Sequence, residues 1–182
     1  MRSALVLLLV LCFGASVVSA DQTDTRLEQL FQQLRAAPGA MAAQPIEKEI
    51  WMIWTRNGNR DVDHRMAIGI ARMNQGDLDA SYEAFDRVVE MMPRFAEGWN
   101  KRATVNYLIG NYDDSVRDIE RTLALEPRHF GALSGMGLIF EAVGNGAAAV
   151  RAWERALEIH PHLVGIRQRL RDMKEALTGK PI

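Results

Sequence analysis

Apolar residues recur at helical intervals along most of the chain, beginning just after a polar stretch at residues 21–25. Four of them fall at i, i+3, i+4 and i+7 and so share one helix face: Leu27, Leu30, Phe31 and Leu34. This stripe stops before Pro38 and Gly39, a pair that ends helices. The pattern predicts one amphipathic helix.

A second apolar stripe follows after a short break. Its members are Ile46, Ile50, Ile53 and Trp54, with Trp51 beside them. We expect this helix to start near Pro45, because proline is tolerated in a first helical turn, and to end at Gly58. The two helices predict a hairpin over residues 21–61 that covers the apolar side of the unit that follows it.

The remainder of the chain repeats itself. Three glycines and three prolines each recur at a spacing of 34 residues: Gly76, Gly110 and Gly144, and Pro93, Pro127 and Pro161. Glycine suits the left-handed end of a first helix, and proline stops a second one. The spacing predicts three helix-turn-helix units without insertions, at residues 62–95, 96–129 and 130–163, which must stack to bury their apolar faces.

Small and large residues alternate in phase with this period. The eighth positions of the three units are small (Gly69, Ala103, Gly137), as are the twentieth (Ser81, Ser115, Ala149), whereas the twenty-fourth are large (Phe85, Ile119, Trp153). With the proline at the thirty-second position, this pattern resembles the tetratricopeptide repeat. The resemblance implies an all-α fold: an α-solenoid of three repeats between an N-terminal hairpin and a C-terminal capping helix.

Some positions depart from the family pattern. Arg65 and Arg72 stand where the first repeat is usually apolar, so we expect that repeat to pack differently. Arg102 and Asp118 occupy two places that carry arginine and aspartate in a variant of the family. That resemblance implies a structural pair bridging the two helices of the second repeat.

The last segment, residues 164–182, continues the helical pattern. Apolar residues from Leu163 to Leu177 recur at spacings of three and four, with basic residues on the other faces. Solenoids need a polar outer face at their ends, so this segment is predicted to be a capping helix. Contact of this basic amphipathic helix with a membrane or a second copy is the weaker alternative.

The resemblance also assigns a concave groove to the first helices of the repeats. Its predicted partner-binding residues are Met66, Ile70, Met73, Asn100, Thr104, Tyr107, Leu138 and Glu141. Met66 and Ile70 stand where some family members carry the lysine and asparagine clamp for a C-terminal carboxylate. A receptor for chaperone tails is therefore not expected.

The first twenty residues have the three parts of a secretory signal peptide: a basic residue, Arg2, an apolar run at residues 4–18 and a small residue, Ala20. Cleavage after Ala20 would give a periplasmic or secreted protein without stable membrane insertion. Cys12, the one cysteine, lies in this run. The mature chain would lack disulfides, thiolate catalysis and cysteine metal sites.

Nothing in the composition indicates catalysis. The formal net charge is −1, which does not favour nucleic acid, and no phosphate loop or zinc-binding helix motif is present. The four histidines do not have the spacing of a metal site. We therefore predict no enzyme, no metal and no cofactor. The favoured function is an exported module that binds a protein or peptide partner in its groove. The alternative is a structural or self-assembling scaffold, possible as a homo-oligomer, whose groove is filled by its own hairpin or by a second copy.

Overall fold

The computed structural model describes residues 21–179, and all regular secondary structure in that range is helical. The helices are α1 (Arg26–Ala36), α2 (Ala40–Trp54), α3 (Arg60–Asn74), α4 (Leu78–Met91), α5 (Ala96–Leu108), α6 (Tyr112–Leu125), α7 (Phe130–Ala142), α8 (Gly146–Ile159) and α9 (Val164–Leu177). The predicted signal peptide lies outside the described residues. Within the described range, no helix has the length and apolar character needed to cross a membrane.

The helix pairs α3–α4, α5–α6 and α7–α8 form the three predicted repeats and pack in sequence, so the α-solenoid is confirmed. Each first helix ends at the predicted glycine, with φ of +79° at Gly76, +83° at Gly110 and +76° at Gly144. These are left-handed conformations that glycine adopts without a steric penalty. The next residue starts the second helix: the Asp77 and Asn145 side chains accept from the backbone N–H groups of Ala80 and Ala148.

The small and large positions fit each other within every repeat. Trp153 is fully buried, and a Cβ atom at Gly137 would lie 2.2 Å from its indole nitrogen. The same relation holds between Gly69 and the ring of Phe85, at 2.5 Å. Such distances are far inside van der Waals contact, so glycine is required at these two positions.

The N-terminal hairpin differs from the prediction in two respects. Helix α2 begins at Ala40, not near Pro45, which lies inside it, and it ends at Trp54, before Gly58. The hairpin also does not stack on the first repeat: α2 makes no extensive packing contact with α3, and Arg65 and Arg72 are exposed there. These arginines are explained because α3 itself forms the polar end of the solenoid.

The hairpin instead runs lengthwise over the turns that join successive repeats. Near its start, the Gln22 side chain donates to the carbonyl of Arg94 at 2.5 Å and accepts from the backbone N–H of Ala96 at 3.2 Å. Farther along α1, Glu28 forms an ion pair with Arg128 at 3.1 Å. The hairpin therefore contacts the end of the first repeat and the end of the second.

Candidate functional site: the concave groove

The concave face is built from α5 and α7, the first helices of the second and third repeats. Between them lies a cavity of about 290 Å³ with a mainly apolar lining. Four predicted groove residues are brought together in its wall: Asn100, Thr104, Tyr107 and Leu138. Its lining also includes Ser134 and Gly135, whose small size leaves room for a ligand to approach the α7 backbone.

A second, larger cavity of about 620 Å³ lies next to the first. Leu138 lines both, so the two cavities adjoin at this side chain of α7. Its walls come from the start of α2 and the start of α9, where Met41 is 89% exposed and Val164 is 66% exposed. Flexible and branched apolar side chains at an open rim are suited to contacting apolar side chains of a partner.

The part of the predicted site in the first repeat does not join this groove. The expectation that Met66 would contact a partner is wrong, because its side chain is only 1% exposed. It packs in a core cluster with Phe85 and Phe95, and Ile70 and Met73 are partly buried against the same cluster. In the first repeat, these three side chains therefore pack toward the second helix, although their positions in the repeat predicted that they would face the groove.

Glu141, the last predicted groove residue, is engaged within the chain. Its carboxylate accepts a hydrogen bond from Arg169 of α9 at 2.7 Å. The Arg169 side chain also lines the larger cavity. A partner in that cavity meets this ion pair, the Glu47 carboxylate beside His160, and apolar side chains such as Leu163.

A polar cluster that the sequence did not predict lies at the other end of the groove, under α2. There the Glu97 carboxylate lies 2.8 Å from Nε2 of His129 and 3.1 Å from Nζ of Lys101. His129 caps α7, since its Nδ1 accepts from the backbone N–H of Ala132. Because Nδ1 is the acceptor here, Nε2 is the ring nitrogen that donates to Glu97.

Two tryptophans of α2 cover this cluster. Trp54 stacks on the His129 ring, with centroids 4.1 Å apart and planes within 11°. Trp51 meets the edge of Phe130, and the ammonium group of Lys101 lies 5.3 Å from its ring. The aromatic stripe of α2 was visible in the sequence, but which surface it contacts was not.

Burial and ionic contacts act in opposite directions on Glu97. Its side chain is 1% exposed, and burial acts to raise the pKa of the carboxyl group. The positive charge of Lys101 and the hydrogen bond from His129 outweigh burial and lower that pKa to about 2. Glu97 is therefore ionised at neutral pH, and its charge is held between two partners.

On the opposite side of α5, Arg102 and Asp118 form the pair expected from the family variant. The guanidinium group donates from Nε at 2.9 Å and from Nη2 at 2.7 Å to the two carboxylate oxygens. Asn106 donates to the same carboxylate at 3.2 Å, and Asp86 accepts from Nη1 of Arg102 at 2.5 Å. The hydrogen bonds to Asp118 raise the pKa of Arg102. The bidentate pair joins α5 to α6, and the hydrogen bond to Asp86 joins both to α4.

Comparison with known families agrees with this architecture. Residues 66–115 and 109–163 match the family model of the tetratricopeptide repeat, which together is more than half of the chain. The chain belongs to the tetratricopeptide repeat family. A protein of Rhizobium etli, described as TPR repeat-containing, is 37% identical over 100 residues, which is 55% of this chain. The chain aligns with about half of that relative, 49% of its length.

Solved tetratricopeptide repeat structures share the fold at low sequence identity. The first such domain of Spaghetti, bound to the HSP90 peptide SRMEEVD, has a TM-score of 0.63 and 20% identity, covering 65% of this chain and 94% of that one. A MamA structure has a TM-score of 0.62 and 18% identity over 81% of this chain and 84% of its own. The Yersinia enterocolitica secretion chaperone SycD, in complex with a YopD peptide, has a TM-score of 0.61 and 10% identity, covering 64% of this chain and 95% of its own.

Chemically, the groove of this tetratricopeptide repeat protein offers contacts for binding. Asn100 and Thr104 sit on α5 beside the apolar side chains of α7, and Asn100 donates to Glu97 at 2.9 Å. Residues 21–179 contain no group of three or more histidine, cysteine, aspartate or glutamate side chains arranged to hold a metal ion. The groove therefore offers apolar burial together with a few fixed polar groups, as binding sites commonly do.

Proposed function

We propose that this protein is a protein-interaction module that binds a segment of a partner protein in the groove between α5, α7 and the start of α2. The single observation that carries the proposal is the cavity between α5 and α7, whose lining brings together Asn100, Thr104, Tyr107 and Leu138. Peptide complexes among the structural neighbours, those of Spaghetti and SycD, support a peptide as the ligand. The module has no reaction of its own.

Four side chains of the groove hold the segment. Leu138 and Tyr107 bury apolar side chains of the partner, and Thr104 and Asn100 orient its backbone by hydrogen bonds. Apolar and aromatic anchors at the centre of an interface commonly contribute more than about 1 kcal/mol each. Ile70 and Met73 lie outside these cavities and make no contact in this proposal.

Site-specific photocrosslinking tests the groove. A photoreactive amino acid at Leu138 is expected to crosslink a partner in cells, whereas the same amino acid at exposed Arg121, on α6, is not. The crosslinked product should decrease at least about fivefold when Tyr107→Ala is added, because one anchor is lost. Equal crosslinking from both positions, or an unchanged yield in the Tyr107→Ala background, would contradict the groove as the binding surface.

We also propose that the protein is exported and that its leader is removed after Ala20. The basic residue, apolar run and small terminal residue of the first twenty positions support this. Mass spectrometry of protein from the native cells should identify Asp21 as the N-terminal residue in the envelope or the medium. Recovery of a chain that still begins at Met1 in the membrane fraction would contradict it.

A scaffold role is the second candidate, because the protein's own α2 already lies over one end of the concave face. In that case the hairpin has a structural purpose and copies associate through other surfaces. The mass in solution at micromolar concentration distinguishes the two, since a stable oligomer is expected of the scaffold and a monomer of the binding module.

A further inference from the structure

The N-terminal hairpin has a hydrophobic core of its own. Eight apolar residues of α1 and α2 are buried together, and Phe130 is the one solenoid residue in the same buried cluster. Ile159 and Leu163 are packed against that cluster but only partly buried. Most of the buried apolar side chains in this cluster therefore come from α1 and α2 themselves.

The solenoid surface beneath the hairpin is charged. Glu97, Lys101 and His129, together with Phe130 and Gly131, form what we call the aromatic seat, because Trp51 and Trp54 rest on it. Permanent cores rarely contain ionised side chains, since each must be paired away from water. Water can solvate these groups again when the hairpin leaves, so separation is easier here than in a fully apolar core.

The connection to the first repeat permits such a movement. Residues 55–59 join α2 to α3, and Gly58 there has a φ of +85°. The Asp63 carboxylate, in the first turn of α3, accepts from the backbone N–H groups of Asn57 and Gly58 at 2.7 and 3.2 Å. The residues that join α2 to α3 are thus held by α3 itself. Helix α2 can therefore move away without a change in the packing of the solenoid.

The contacts of α2 define what the aromatic seat accepts. A carboxylate at Glu47 lies 3.2 Å from Nε2 of His160, and tryptophans follow four and seven residues later. These spacings place all three side chains on one side of a helix. At Gly131 a Cβ atom would lie 2.5 Å from the ring of Trp51, so the absence of a side chain makes room for an indole.

We propose that the aromatic seat is a second binding site, for an amphipathic helix of a partner protein carrying an acidic residue and two aromatic residues at i, i+4 and i+7. The hairpin occupies this seat within the same chain and so inhibits that binding until it is displaced. The site adjoins the open groove, with which it shares Gly131, but Tyr107 and Leu138 are not part of it.

A labelled synthetic peptide with the sequence of residues 39–56 serves as the probe, added to the intact protein. Trp51→Ala weakens the docked hairpin but leaves the aromatic seat unchanged, so the peptide should bind this variant roughly tenfold more tightly than wild type. Met52→Ala is the matched control: its side chain is 50% exposed one residue away, and wild-type affinity is expected. Adding Phe130→Ala to Trp51→Ala should abolish binding, whereas Tyr107→Ala should leave it unchanged.

Hydrogen exchange of the wild-type protein provides a measurement that needs no variant. Amides of α1 and α2 should exchange at least about tenfold faster than those of α5 to α8, because the hairpin opens without global unfolding. Equal protection in the two regions, or equal peptide affinity of Trp51→Ala and wild type, would overturn the proposal. If the Trp51→Ala protein had twice the monomer mass in solution, the hairpin of a second copy would be the occupant of the aromatic seat. That result would overturn the proposal that a separate partner helix binds there. Loss of groove crosslinking with unchanged peptide binding would reject only the groove.

Discussion

The repeats and the hairpin are both helix pairs, but they are held in place by different kinds of contact. Within a repeat, a small residue meets a large one at a fixed spacing, as Gly137 meets Trp153, and each pair packs on the next along the chain. The hairpin contacts residues far away in sequence, from Arg94 to His160. Local packing therefore sets the form of the solenoid, whereas the hairpin depends on a surface that exists only after the solenoid has assembled.

This difference has a consequence for stability. Solenoids are held by interactions between neighbours, so damage is felt mainly in the adjacent layers. The hairpin bridges non-adjacent turns and adds the few contacts that join distant repeats directly. Substitutions in the two regions should therefore differ in how far they lower the free energy of unfolding and in how many helices they loosen.

The largest effect is expected from Trp153→Ala. This side chain is fully buried against Gly137, so its removal leaves a cavity and should lower the free energy of unfolding by about 3 to 5 kcal/mol. Hydrogen exchange should increase first in α7, α8 and α9, while α3 and α4 stay protected. Val143→Ala, at a side chain 55% exposed, is the control and should change stability by less than about 0.5 kcal/mol. A small effect of Trp153→Ala would contradict the repeat register.

The Arg102 and Asp118 pair tests an ionic contact inside the solenoid. Arg102→Met leaves Asp118, whose side chain is 5% exposed, without its cation, and should lower the free energy of unfolding by about 3 kcal/mol. Asp118→Asn should be milder, because Arg102 keeps Asp86 as a partner. In a double-mutant cycle measured by urea unfolding, the two substitutions should couple by about 1 kcal/mol or more. Strict additivity would show that the two side chains act independently.

Glu97 tests the charged surface beneath the hairpin through pH. Its folded pKa, about 2, lies below the usual 4.5, so ionised Glu97 stabilises the fold above about pH 4.5. That contribution, about 3 kcal/mol, is lost as the pH falls toward 2. The stability difference between wild type and Glu97→Gln, from unfolding curves at several pH values, should shrink over that interval. A difference that does not change with pH would mean that Glu97 is not held as an ion.

The smallest effect is expected at the outer edge of the hairpin, where Glu28 pairs with Arg128. The Glu28 side chain is 67% exposed, and pairs of this kind contribute about 0 to 1 kcal/mol. Glu28→Gln should therefore change the melting temperature only slightly, and the change should vanish at high salt. An effect comparable with that of Arg102→Met would show that the polar edge, not the aromatic seat, holds the hairpin.

Much of the architecture followed from the sequence because the signals were local. The glycine at the end of each first helix and the proline after each second helix depend on backbone conformation within a few residues. The paired small and large positions depend only on contact between two consecutive helices. These are short-range requirements, and three copies in phase made the register of the repeats unambiguous.

The candidate site was only partly predictable. Asn100, Thr104, Tyr107 and Leu138 lie in the wall of one cavity, as positions in the repeat implied. Met66 is buried, because its side chain packs with Phe85 and Phe95 in the core cluster of the first repeat. Arg65 and Arg72 could have shown that the hairpin does not cover the first repeat. Two arginines on the outer face of α3 are incompatible with an apolar cap there.

The sequence by itself determined the helices, the three-repeat register and the residues that join each pair, because all of these follow from dihedral preferences and contacts between neighbours. Only the tertiary structure decided that Trp51 and Trp54 rest on His129 and Phe130. That contact joins residues about 75 positions apart, on a surface composed of two repeats. An apolar stripe indicates that a helix face is buried, but the shape and charge of the assembled solenoid select the surface that buries it.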